Sequence, residues 1–269
     1  MATWEFPESE PIEIFVSIAS GSVAVSGEQI GATSVTAYSS KPGREDDALS
    51  PEELRVSFSA GRLEIVQPKN SGSVRGRDSL DVTVRTPPGA RVTVRTASAD
   101  VSCVGELATL EVQTASGDVT AASVSGGAAV NTANGDIWLE TVGGAAAVRT
   151  ASGDIRLRRA GGDVAATTAS GDIQLGLLGG SAAAQTASGD IEIGSISAGE
   201  ANVKTMSGDT SVGVARGAEA YLDLSSLTGD ISSQLEETGG GEGVGLRVTC
   251  RSVSGDIQIT RATATAGAQ

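Results

Sequence analysis

The chain has 269 residues with 33 acidic against 19 basic side chains, a net charge of −14 that excludes nucleic acid or an anionic lipid surface as the main partner. It has no histidine, which removes Ser-His-Asp and Cys-His catalysis, histidine-held metal and histidine pH switching. The two cysteines cannot form the multi-bridge frame of a small secreted scaffold, so a core poor in aromatics must supply the stability.

The N-terminus, Met1 to Glu8, carries no basic residue, and its first apolar run, Ile12 to Ala19, is broken by Glu13 and Ser17. A Sec leader is not expected, and no stretch approaches the roughly 18 apolar residues of a membrane span. The expectation is a cytoplasmic chain, with export by a leaderless route as the alternative.

Residues 1–95 are predicted to form the N-terminal cap and irregular coils. Ile18 to Ser26 and Phe58 to Val66 share one nine-residue pattern with the later repeats, and five of the aromatics (Trp4, Phe6, Phe15, Tyr38, Phe58) gather here to seal an exposed strand edge. Excursions are expected at Ser39 to Leu54, where Ser50-Pro51-Glu52-Glu53 reads as a one-turn helix start, and at Gln67 to Ser79.

Residues 96–262 carry the repeat. The phrase Thr-Ala-Ser-Gly-Asp, or a close copy, ends at Asp100, Asp118, Asp136, Asp154, Asp172 and Asp190, and looser copies end at Asp209, Asp230 and Asp256. Five equal intervals of 18 residues followed by growing ones mark a solenoid. Each 18 divides into two nines with apolar or small residues at alternate places, as in Ile137 and Leu139 or Val142, Ala146 and Val148. That alternation means strand, and paired outward residues at Glu140-Thr141 and Arg149-Thr150 mark corners. The fold predicted is an all-β, single-stranded parallel β-solenoid of 18-residue coils. The 26-residue interval before Asp256 is read as a looped-out insertion at Glu236 to Gly245, and residues 263–269 as a disordered tail.

The TxSGDI/V phrases, the Trp4/Phe6 start followed by strands and the segment Thr86-Pro-Pro-Gly-Ala90 together resemble a bacterial putative-adhesin family of unknown function with β-strand repeats. The resemblance covers essentially the whole chain. It implies a β-solenoid, no established enzymatic activity and, in some relatives, cell-envelope stress or surface functions.

The strongest candidate for chemistry is the column Asp118, Asp136, Asp154, Asp172, Asp190 and Asp209. Carboxylates stacked about 4.8 Å apart repel by about 0.9 kcal/mol in water, which a row of calcium ions would relieve. Local backbone N–H bonds at each turn contribute roughly 1.5–3 kcal/mol, so the arithmetic favours structural turn aspartates. Calcium-binding nonapeptide repeats carry GGxGxD in every nine, whereas here alternate nines have the aspartate. Stacked Thr114, Thr132, Thr150, Thr168, Thr186 and Thr205, beside a serine column, resemble an ice-binding surface if they face solvent.

Cys103 and Cys250 fall at inward places on the order of 35 Å apart, too far for a disulfide. Trp138 takes an outward place and is a candidate contact residue. Arg149, Arg156, Arg158 and Arg159 form a basic group, to pair with nearby carboxylates or dock an acidic partner. The glycine-rich Gly239 to Gly245 has no phosphate-loop pattern. No residue is assigned a catalytic or cofactor-binding role, and no cofactor is expected.

The function expected is a non-enzymatic, adhesin-like interaction or scaffold protein. Its partner is an unknown protein or cell-envelope component, or another copy through the solenoid ends. The alternatives are calcium binding along the ladder and a β-helix carbohydrate-active enzyme. The short loops of 18-residue coils leave little room for an enzyme cleft.

Overall fold

A computed structural model describes residues 1–8, 10–39, 54–68, 79–235 and 245–262. The expected helix start at Ser50 to Glu53, the bodies of both N-terminal excursions, the insertion up to residue 244 and the tail lie outside the described residues. Those described residues form strands and turns with no helix, and most strand pairings are parallel. Two compact units divide the chain, Met1–Leu139 and Glu140–Gln269.

The first unit contains β1 (Ala2–Phe6), β2 (Glu13–Gly27), β3 (Thr33–Ser39), β4 (Arg55–Ser59), β5 (Arg62–Val66), β6 (Ser79–Thr86), β7 (Ala90–Gln113), β8 (Val119–Val124) and β9 (Ala128–Asn131). The alternation in β2 buries Ile14, Val16, Ile18, Val23 and Val25 on one side. Gly21, at φ +123°, lets this 15-residue strand turn a corner, and a Cβ there would collide with the Leu80 carbonyl.

Beyond that corner the two halves of β2 take different neighbours, β5 and β6, while its other edge pairs with β7 along its length. The first long strand of the sequence is therefore flanked on both edges by strands made later. Outside it the pairing turns antiparallel, through β3 on β6, β1 on β3 and β4 on β5. The rings of Phe6 in β1 and Phe58 in β4 meet with centroids 5.3 Å apart. Trp4, Phe6, Phe15 and Phe58 are half-buried, and Tyr38 is exposed.

The second unit holds two rows of parallel strands. One row runs β12 (Ile155–Ala160), β14 (Ile173–Leu178), β16 (Ile191–Ile196), β18 (Thr210–Val214), β22 (Ile257–Arg261) and β20 (Ile231–Ser233). The other runs β11 (Ala146–Arg149), β13 (Val164–Thr167), β15 (Ala182–Gln185), β17 (Gly199–Ser207), β21 (Leu246–Ser254) and β19 (Ala220–Thr228). β10 (Ile137–Val142) straddles the division. Residues 18 apart are direct partners, as Ile155 with Ile173 and Val164 with Ala182. The first row buries Ile and Leu, the second mostly Ala and Val, so large side chains sit in one row and small ones in the other.

The last rungs depart from chain order. β21 and β22 lie between the rung of β17 and β18 and the rung of β19 and β20, so the final coil is inserted beneath the one that precedes it. The long interval before Asp256 is thus the route of a chain that overshoots one rung and returns, rather than a looped-out insertion alone. The inserted rung is the more apolar: Leu246, Val248, Cys250, Ile257 and Ile259 are buried, whereas Ser233 stands where β22 has Ile259.

Candidate functional site

The repeat phrase builds a corner whose parts each satisfy the next. Gly171 has φ +143°, and a Cβ on it would collide with the Gly153 carbonyl, so no other residue fits. The following aspartate then points along the stack. In the first unit the Asp100 Oδ1 accepts the Asp118 N–H at 3.0 Å, and Asp118 accepts that of Asp136 at 2.9 Å. In the second, Asp154 accepts from Asp172 (2.9 Å), Asp172 from Asp190 (2.8 Å) and Asp190 from Asp209 (2.7 Å).

The series continues out of chain order, with Asp209 accepting from Asp256 and Asp256 from Asp230, each at 2.8 Å. The bonds are not local to each turn, as the turn reading expects, but reach the next rung. In each of these pairs one carboxylate oxygen holds a backbone donor that the glycine bend takes out of the strand ladder, a charge-assisted bond of the size that offsets the like-charge repulsion. Among the described residues no three acidic or cysteine side chains are grouped to hold a metal ion. A second, shorter series that sequence reasoning missed runs from Asp163 Oδ1 to the Ser181 N–H at 2.8 Å and from Ser181 Oγ to the Glu200 N–H at 3.2 Å.

The threonine column turns inward. Thr132, Thr150, Thr168, Thr186 and Thr205 are buried, and Thr114 is half-buried. Their hydroxyls donate to backbone carbonyls, as Thr132 to Asn134 at 3.2 Å and Thr186 to Gly171 at 3.2 Å. The corner expected at Arg149-Thr150 therefore has one outward residue rather than two, and no hydroxyl face of threonines is offered to ice. The corner read from Glu140-Thr141 is seen again at Arg158-Arg159, where both residues are exposed.

Trp138 is 58% exposed, at the outward place its position in the repeat implies. Arg156 bonds Asp154 at 2.9 Å and Arg158 bonds Glu140 at 2.7 Å. Among the described residues no ion pair is found for Arg149 or Arg159. Arg149 ends β11 and is in register with Thr167, whereas the other three lie on β12. Both cysteines are free and buried, and burial pushes each thiol up to about 12. At an exposed site of the first unit, the Arg85 guanidinium bonded to Glu28 at 3.0 Å lowers that carboxyl below its ordinary range.

Beside Arg159 a shallow lateral groove of about 370 Å³ follows the stack, and sequence reasoning missed it. Its signal is a column of glycines, Gly143, Gly161 and Gly179, which leaves a trough between side chains. Val142, Ala160, Leu177 and Leu178 line it with apolar surface, and Arg159 supplies the positive charge.

This architecture defines a repeat protein of the parallel β-solenoid class, built from stacked backbone and polar ladders. Residues 11–260 match the Toastrack DUF4097 family model, and the chain belongs to that family. No curated protein matches it. Among solved structures it is similar to a putative adhesin from Bacteroides fragilis NCTC 9343, with 14% identity over 96% of each chain and a TM-score of 0.49. It is also similar to a putative adhesin from Parabacteroides distasonis ATCC 8503, with 12% identity over 96% of each chain and a TM-score of 0.41. A putative lipid binding protein from the same organism shares 14% identity over 97% of this chain and 96% of that one, with a TM-score of 0.37. Among the described residues no helix is long and apolar enough to cross a membrane.

Proposed function

We propose that the protein is a non-enzymatic, adhesin-like interaction module that binds a macromolecular partner along the lateral face of its second unit. One observation carries this reading: the repeated carboxylates, the groups an enzyme or a calcium array would use, accept backbone N–H groups from rung to rung. They hold the scaffold, while the groove with Arg159 at its side offers an apolar trough beside a guanidinium with no ion pair among the described residues. Trp138 is a further contact residue in the first unit, where its exposed ring suits a partner interface.

The test is a pull-down from native cells with wild-type protein and an Arg159→Glu variant. A partner retained by the first and lost by the second is the expected result. Hydrolysis of any member of a polysaccharide panel, abolished by Asp172→Asn alone, overturns the reading in favour of an enzyme. A melting temperature raised by calcium after chelator treatment overturns it in favour of a cation-binding array.

A further inference from the structure

The outermost rung of the second unit differs from the others in ways that converge on one partner. β19 pairs with β21 on one edge, and among the described residues nothing pairs with its other edge. An unpaired nine-residue strand is a template for another strand. Asp230, the last member of the aspartate series, accepts no N–H from a further rung among the described residues.

The side chains change at the same end. The second place of the repeat phrase is alanine at Ala97, Ala115, Ala133, Ala151, Ala169 and Ala187. In the last three rungs in space it becomes Met206, Val253 and Leu227, neighbours by the register of β17, β21 and β19. These are 60%, 49% and 78% exposed, an apolar stripe that runs up to the open edge and is most exposed there. On the same outward side of β19 lies Tyr221, 52% exposed, with the Arg247 guanidinium 4.7 Å from its ring centre.

We propose that the open edge of β19 is a homodimer interface, in which two copies of this chain pair their β19 strands antiparallel with Leu224 opposite itself. A two-fold axis makes the pairing antiparallel, because the same edge meets itself. Inward Leu222, Leu224 and Ser226 must stay on one side and outward Tyr221, Asp223, Ser225 and Leu227 on the other, so registers that exchange the two sides are excluded.

Charge and burial then disfavour the two adjacent registers. Centring the pair on Asp223 sets that carboxylate directly against the partner's Asp223, a like-charge pair that destabilises. Centring it on Ser225 sets Asp223 against the partner's Leu227, placing a charge on the most exposed leucine. With Leu224 at the centre, Tyr221 covers the partner's Leu227 and Asp223 faces the partner's Ser225. Asp223 keeps its own counter-charge, Arg251, at 3.9 Å. The apolar stripe of each copy is thereby continued by the other's tyrosine. This inference rests on the strand edge and is independent of the lateral groove.

Sedimentation equilibrium through the micromolar range tests it on wild type, on Tyr221→Glu, on Leu227→Lys and on the double variant, all in the full chain. Wild type is expected to dimerise, and more tightly as salt screens the charge of −14 on each copy. Each single substitution places a charge against an apolar partner and is expected to weaken the dimer at least tenfold. The double variant places each Glu against the partner's Lys and is expected to recover most of that loss. Because the double variant carries both substitutions, its recovery separates the interface from a folding defect. A monomeric wild type, a dimer indifferent to both single changes, or singles that weaken it without recovery in the double each overturn the proposal.

Discussion

The first unit near β1 and β4 and the second unit at β19 are finished in opposite ways. In the first, the parallel pairing passes into antiparallel strands, and the Phe6 and Phe58 rings meet across β1 and β4. In the second, parallel pairing continues to the last described rung, which carries half-exposed Leu222 and Leu224 and exposed Tyr221, Leu227 and Ile231. Yet both hold the same device one rung in: β2 and β21 are each flanked on both edges by strands that are not their sequence neighbours. A strand bonded on two edges cannot fray alone. The difference teaches that one end closes on its own side chains, while the other is left as a surface.

The largest contrast is expected in thiol labelling. Both cysteines are buried, and burial pushes each thiol up to about 12, so alkylation near neutral pH requires opening. Cys250, one rung from the open end, is expected to label at least tenfold faster than Cys103; equal rates would erase the distinction between the ends. The sign with pH follows from the same shift. A folded value above the unfolded one, about 9, means that the contribution to stability is whole below pH 9 and is lost as pH rises from there toward 12. Denaturant melts across that range are expected to show falling midpoints.

Next in size are core truncations. Leu246→Ala in the inserted rung is expected to cost about 3 kcal/mol, whereas Leu222→Ala in the outermost rung costs about 1 kcal/mol, since its site is half open and collapses more easily. Urea midpoints measure both, and similar losses would mean that β19 is as deeply held as β21. Between these two lies the effect of Asp256→Ala, which removes the acceptor for the Asp230 N–H and is expected to cost about 1.5 kcal/mol. Asp256→Asn keeps an oxygen acceptor and lowers the repulsion along the series, so its midpoint is expected to stay within about 0.5 kcal/mol of wild type. A gain rather than a loss is expected in the first unit, where the Thr86 hydroxyl is buried without a partner among the described residues: Thr86→Val is expected to raise stability by about 1 kcal/mol.

Much of this fold was legible because its information is periodic. An 18-residue interval with alternating apolar places dictates stacked parallel rungs, and it correctly set Ile137 and Leu139 inward, both cysteines in the core and Trp138 outside. Order in space was not legible. Nothing in the residues of β2 or β21 says that a strand will lie between partners made later or earlier, since period and register are satisfied equally by either stacking. The aspartate phrase marked the right residues but not their partners: a glycine bend frees the N–H of Asp172, and the nearest acceptor belongs to the rung before. The inward turn of Thr150 came from the same bend, which moves the corner by one residue. The groove was missed because it is made by side chains that are absent, at Gly143, Gly161 and Gly179.

The inserted rung also constrains how the second unit is made. Growth by adding coils in order of synthesis would leave β19 and β20 resting on β17 and β18, with Leu246, Val248 and Ile257 still to be housed. Those residues reach burial only when the segment from 246 to 262 takes its place between two rungs already translated. Burial of the inserted rung therefore waits for the last part of the repeat region to emerge, so the finished stack is not ordered as it is spelled.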